Sequence, residues 1–306
     1  MSPTFFTTND GDVILRANPE SGSKHDFRVH RFILSLASTV FKDMFSFPQP
    51  PDENQKEPHG IPAVDVPDSP EVLDVILRFI YPGVEPPKFT DLSILSGLLS
   101  AADKYNIVSM QPVLRDALKT FIPNEPFRVY ILACRFGFLE EAKAAAKAST
   151  LGNMVLKEDH GKEVRHVSNI DLYRLICFVR EREKFARSEI MDFASMQLDW
   201  IYNGCEVRKH WLGDASDFYE KLGEKLLGVF TEAPHVQLND FNQVLDKLPD
   251  PPVGCEPRPF DPDDDFNDAI ECPLRPSFIR ESLAILVGRL DTQSNNLLAE
   301  AFCKEF

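Results

Sequence analysis

The opening of the chain constrains its fold most, because the spacing of apolar residues changes between residues 12 and 45. Asp12 to Ala17 carries Val13, Ile14 and Leu15 in succession, and Phe27 to His30 alternates apolar with polar, so both read as short strands. The stretch Asn18-Pro19-Glu20-Ser21-Gly22-Ser23 between them has the composition of a hairpin loop. Directly after His30 the period changes. Phe32, Ile33, Leu36 and Ala37, then Val40, Phe41, Met44 and Phe45, recur at three- and four-residue spacing along one side of a helix or a close helical pair.

Further elements follow in the same stretch. Pro62 to Val66 fits a third strand, with Val64 and Val66 alternating with Asp65. Ser69 is placed to cap a helix whose first position is Pro70, a residue with no N–H to leave unpaired. The apolar set of that helix runs from Val72 to Ile80, and Tyr81-Pro82-Gly83 stops it. Thr90-Asp91 caps the next helix, whose Leu92, Leu95, Leu98, Leu99 and Ala102 form a stripe running into Asp103-Lys104-Tyr105. Another helix spans about Ser109 to Ile122.

The succession His30, Leu34, Ser38, Phe41, Met44-Phe45 resembles the first helical segment of the BTB/POZ family, with no position missing. Ile80-Tyr81-Pro82-Gly83 and Ala102 to Tyr105 resemble two later landmarks of that family. The resemblance covers residues 8–122 and implies an α+β fold: a BTB/POZ-like domain of a small sheet with clustered helices, followed here by a mainly α-helical C-terminal region. Beyond Pro123, helix-compatible spacing recurs over 126–136, 139–148, 170–185, 188–202, 216–230 and 238–248, with Ser168 and Ser216 as caps. These form a helical region, 123–248. Residues 249–276 read as an acidic, Pro-rich linker, and 277–306 as a C-terminal helical tail that should dock.

Composition narrows the function. A formal net charge of -15 would repel a phosphate backbone, so no nucleic acid is expected. No stretch approaches the roughly 20 apolar residues of a spanning helix, and Met1 to Asp10 lacks the charged and apolar regions of a signal peptide, so no membrane is expected. Six widely spaced cysteines without a Cys-x-x-Cys pair read as reduced thiols of an intracellular protein, cytoplasmic, nuclear or both. Asp261, Asp263, Asp265 and Asn267 mimic the start of a calcium loop, but Phe266 stands where that loop needs Gly and Cys272 where it needs Glu. His160 and His166 have no further ligand at zinc spacing. No nucleophile elbow, phosphate loop, dinucleotide fingerprint or zincin motif occurs, and neither catalytic, cofactor nor metal residues are assigned.

The resemblance implies a non-enzymatic interaction adaptor that forms a homodimer through its BTB domain. By motif position, Asp12 and Arg31 match an acidic and a basic residue that lie together at the dimer-forming part of such domains; they read either as a specificity device or as an ion pair supporting the fold. Phe32, Leu36 and Phe41 belong to the core or to the interface. His30 is expected to be structural, its ring bonding backbone groups at the helix start. Three functions compete: a substrate adaptor for a cullin-type ubiquitin ligase, a dimeric scaffold or transcription-associated protein without a ligase role, and an enzyme housed in the helical region. Against the first, Pro51-Asp52-Glu53 is a poor match to the hydrophobic-x-Glu signal of cullin-binding relatives.

Overall fold

Strand β1 (Val13–Ala17) sends Val13, Leu15 and Ala17 into the interior, as the period of two requires. Strand β2 (His25–Val29) pairs with it antiparallel, Val29 opposite Val13 and His25 opposite Ala17. Strand β3 (Ala63–Val66) pairs with it in parallel, giving the order β2-β1-β3. Strand β2 begins two residues before the apolar alternation, because Asp26 lies opposite Arg16 and accepts its Nε and Nη2 at 2.8 and 2.9 Å. Gly11 precedes β1 where the two backbones touch: a Cβ there would lie 2.8 Å from the Val29 amide nitrogen and oxygen.

In the computed structural model the chain divides into two units, Met1–Phe121 and Ile122–Phe306. The structure describes residues 10–17, 25–47, 61–84, 88–150, 152, 154, 164–204, 212–232, 238–248 and 276–303. The hairpin-loop stretch 18–23, Pro51-Asp52-Glu53, His160, the linker up to residue 275 and its calcium-like cluster therefore lie outside the described residues.

The helical stretch after β2 is a pair, α1 (Arg31–Ala37) and α2 (Thr39–Ser46), broken at Ser38, whose backbone is extended (φ -141°, ψ 123°). The Ser38 N–H closes α1 on Leu34 O at 3.0 Å, and its Oγ accepts the Phe41 N–H at 3.0 Å to open α2. That hydroxyl also donates to the backbone oxygen of Tyr105, which fixes the helix pair to a residue 67 positions further along the chain. Helix α3 (Pro70–Ile80) has Ser69 accepting the Val72 N–H at 3.3 Å and Pro70 at the first position, as the sequence predicts. Asp91 caps α4 (Leu92–Lys104) by accepting the Ser93 N–H at 2.7 Å. At its other end Asn106 takes a left-handed turn (φ 51°), so that the Ile107 N–H reaches back to Ala102 O at 2.8 Å. A 3-10 turn (Val108–Met110) leads into α5 (Gln111–Thr120). Tyr105 donates to Asp68, which also pairs with Lys104 at 2.5 Å. Burial and then the Asp68 carboxylate push the Tyr105 phenol upward, so it stays a donor.

Among its described residues the regular elements of the second unit are helices: α6 (Pro126–Arg135), α7 (Leu139–Ala148), α8 (Asn169–Gly204), α9 (Leu212–Glu232), α10 (Leu238–Asp246) and α11 (Pro276–Cys303). Gly137 (φ 70°) ends α6, with the Phe138 N–H returning to Ala133 O at 2.8 Å. Helix α8 is a single element of 36 residues where the sequence reads two. Nothing between Phe185 and Ser188 breaks a helix, and the Ser188 hydroxyl reaches Asp192 Oδ2 at 3.4 Å instead of capping backbone donors. Ser216 lies inside α9, which starts four residues earlier at Leu212. Helix α11 packs Ile279, Leu283, Leu286 and Leu290 against Phe193 of α8, Tyr219 and Leu222 of α9 and Phe241 of α10 in one core.

A buried arginine ties α7 to α8. Arg182 is 2% exposed; its Nη1 donates to Lys147 O at 2.7 Å and its Nη2 to Ser149 O, so it closes the carbonyl end of α7. Burial lowers its pKa to about 10, which leaves it charged at neutral pH. Arg182→Ala should cost about 2–4 kcal/mol, because two buried carbonyls lose their donors. Urea unfolding of the full chain measures this, and Arg182→Lys, which cannot span both carbonyls, should recover part of it. A cost of Arg182→Ala below about 0.5 kcal/mol would contradict the capping role.

Candidate interaction surface

The five residues singled out by the sequence all lie at the junction of β1, β2 and the α1–α2 pair. Asp12, one residue before β1, accepts the backbone N–H of Arg31 at 2.8 Å through Oδ1. Arg31 is the first residue of α1, whose own cap position, His30, supplies no side-chain bond. The carboxylate therefore caps α1 from the neighbouring strand, where the partial positive charge of a helix start favours an anion. The Arg31 guanidinium does not meet that carboxylate. Its Cζ lies 5.7 Å from the centre of the Phe45 ring, and its Nε is buried with no hydrogen-bond partner.

His30 takes its place through Tyr81, a contact the sequence reading missed. The His30 N–H donates to the Tyr81 hydroxyl oxygen at 2.8 Å and its Nδ1 lies 3.1 Å from the same oxygen. The ring thus meets a side chain where backbone partners were expected. Burial is the main reason the Tyr81 phenol is raised above its ordinary range. Tyr81 ends α3, so one hydroxyl joins the β2–α1 junction to the far end of that helix.

The three apolar candidates divide sharply. Phe41 is 0% exposed and stacks on Tyr105 at 4.5 Å and on Phe45 at 6.0 Å between ring centres. Phe32 and Leu36 are each 72% exposed. Four residues apart, they share one face of α1. Leu34 of the same helix is fully buried, so α1 is apolar on both its inner and outer sides. A surface helix normally turns a polar face to water.

The family model for the BTB/POZ domain matches residues 7–122. The chain carries a BTB/POZ domain. Over 94 residues, the chain is 36% identical to TD and POZ domain-containing protein 1 of Mus musculus, a stretch covering 31% of this chain and 24% of that protein. It is 34% identical over 94 residues to TD and POZ domain-containing protein 5 of Mus musculus, covering 31% and 26%. The chain thus spans about a quarter of the length of these curated relatives. Residues 7–122 thus carry a domain of a protein–protein interaction type. Among the described residues no helix is long and apolar enough to cross a membrane, and no three His, Cys, Asp or Glu side chains are grouped to hold a metal ion.

Proposed function

We propose that this chain is a non-enzymatic adaptor in which two copies join through the outer face of α1, leaving the helical second unit of each copy to engage other proteins. The observation that carries this reading is the solvent-facing pair Phe32 and Leu36 on a seven-residue helix that already buries Leu34 on its inner side. Covering the pair with its own copy removes apolar surface from water and gives a symmetric contact, the commonest form of self-association. A sedimentation series at micromolar concentrations tests the dimer directly.

A finer reading, recruitment of a cullin-type ubiquitin ligase, rests on the BTB/POZ resemblance alone. Affinity purification of the tagged chain followed by mass spectrometry decides it. With Pro51-Asp52-Glu53 in place of a hydrophobic-x-Glu signal, the expected result is recovery of the untagged copy of the chain without a stoichiometric cullin. A cullin recovered in equal amount would replace the plain dimeric scaffold with a ligase adaptor.

A further inference from the structure

Helix α8 turns one long face to solvent along its first half. Ile170, Tyr173, Cys177, Arg180, Lys184 and Arg187 follow one another at alternating three- and four-residue steps, the spacing that keeps side chains in a single stripe. Ile170 and Tyr173 are 56% and 68% exposed, and Arg180, Lys184 and Arg187 are exposed as well. The stripe is about 25 Å long at 1.5 Å per residue. Its apolar part lies at the start of α8. Its basic part borders a groove of ≈ 190 Å³, walled on the other side by Leu227 and Phe230 of α9.

Lys147, Arg174, Arg280 and Arg289 each pair with a carboxylate within 3.5 Å. Arg180, Lys184 and Arg187 form no ion pair among the described residues, although acidic side chains outnumber basic ones 48 to 33 in the chain. Other cations of this unit, Lys221 and Lys225 among them, also form no ion pair among the described residues, but Arg180, Lys184 and Arg187 are the ones that line the groove. Glu183 shares the groove, which leaves an excess of two positive charges there. The carbonyl end of α9 accounts for cations being tolerated beside it. It does not account for the exposed isoleucine and tyrosine that continue the same stripe.

We propose that this stripe docks an acidic amphipathic helix of a partner protein, with apolar side chains over Ile170 and Tyr173 and carboxylates over Arg180, Lys184 and Arg187. The alternating steps suit a helix packed alongside another at a shallow angle, and the unpaired cations suit carboxylates on its surface. This surface gives the second unit its role in the adaptor reading.

The test is fluorescence anisotropy of the full chain with a labelled amphipathic peptide of about 18 residues, matched to the length of the stripe. The peptide carries Leu and Tyr along its seam at one end and three Glu along it at the other. Binding should weaken at least roughly tenfold with Arg180→Glu/Lys184→Glu/Arg187→Glu, with Ile170→Ser/Tyr173→Ser, and on raising salt well above physiological strength. A probe with Lys in place of its three Glu should bind the charge-reversed chain better than the original, which separates a lost contact from a lost fold. Equal binding of a sequence-scrambled probe, or wild-type affinity in both variants, would overturn the proposal. Binding that emerges only after deletion of residues 251–272 would assign the stripe to the chain's own acidic segment and overturn the partner. Because Phe32 and Leu36 belong to the other unit, failure here with the dimer mass intact counts against this surface alone.

Discussion

If the chain pairs as proposed, Phe32→Asp/Leu36→Asp should leave it a monomer without unfolding it. Each side chain, if covered by a second copy, contributes about 1.5–3 kcal/mol, so the pair of one copy alone supplies about 3–6 kcal/mol of association. Removing it corresponds to a loss of roughly 10²- to 10⁴-fold in dimer affinity. Buried carboxylates across a symmetric contact would add repulsion between the copies. The fold should hardly respond, because both positions are 72% exposed in the single chain and surface changes of this kind cost within about 0.5 kcal/mol. Sedimentation velocity gives the mass and urea unfolding gives the stability. A double variant that keeps the wild-type mass would show that α1 is not the contact.

The reverse pattern is expected at Phe41. Its ring is fully buried between Tyr105 and Phe45, with no room for solvent to replace it. Phe41→Ala should destabilise the BTB/POZ domain by about 3–5 kcal/mol, the sum of lost transfer energy and the cavity left beside Tyr105. Urea unfolding by circular dichroism measures it, and a cost below about 1 kcal/mol would mean the site collapses freely or the ring is not buried as described. Variants at Phe32, Leu36 and Phe41 are therefore expected to separate association from folding within ten residues of sequence.

Why the sequence left those three undivided is physical. Residues 32, 33, 34, 36 and 37 are all apolar, so periodicity locates the helix without distinguishing its inner side from its outer one. The distinction depends on Ser38, which breaks the segment and redirects α2 so that Phe41 enters the core; a serine among apolar residues shows that role only once its hydroxyl is seen to bridge Phe41 N–H and Tyr105 O. Two helix starts that carry a local chemical signal were legible, Ser69-Pro70 before α3 and Asp91 before α4, whereas Ser216, read by the same signal, lies inside α9. Contacts between side chains distant in sequence were not legible. Tyr81 at His30 and Asp26 opposite Arg16 depend on which elements the fold brings together. At Asp12 and Arg31, where the sequence reads an acidic and a basic side chain as a pair, the bond runs from a backbone N–H to a carboxylate, a geometry that residue types alone do not specify. In the second unit the missing information was a boundary: with no Gly or Pro between 185 and 188, the break between the two expected helices does not exist.

The most direct measurement is sedimentation equilibrium of the unaltered chain across micromolar concentrations. A species of twice 34.7 kDa, dissociating as concentration falls, is the predicted result. A single species of 34.7 kDa at every concentration would contradict self-association through α1 and leave Phe32 and Leu36 without the role assigned to them.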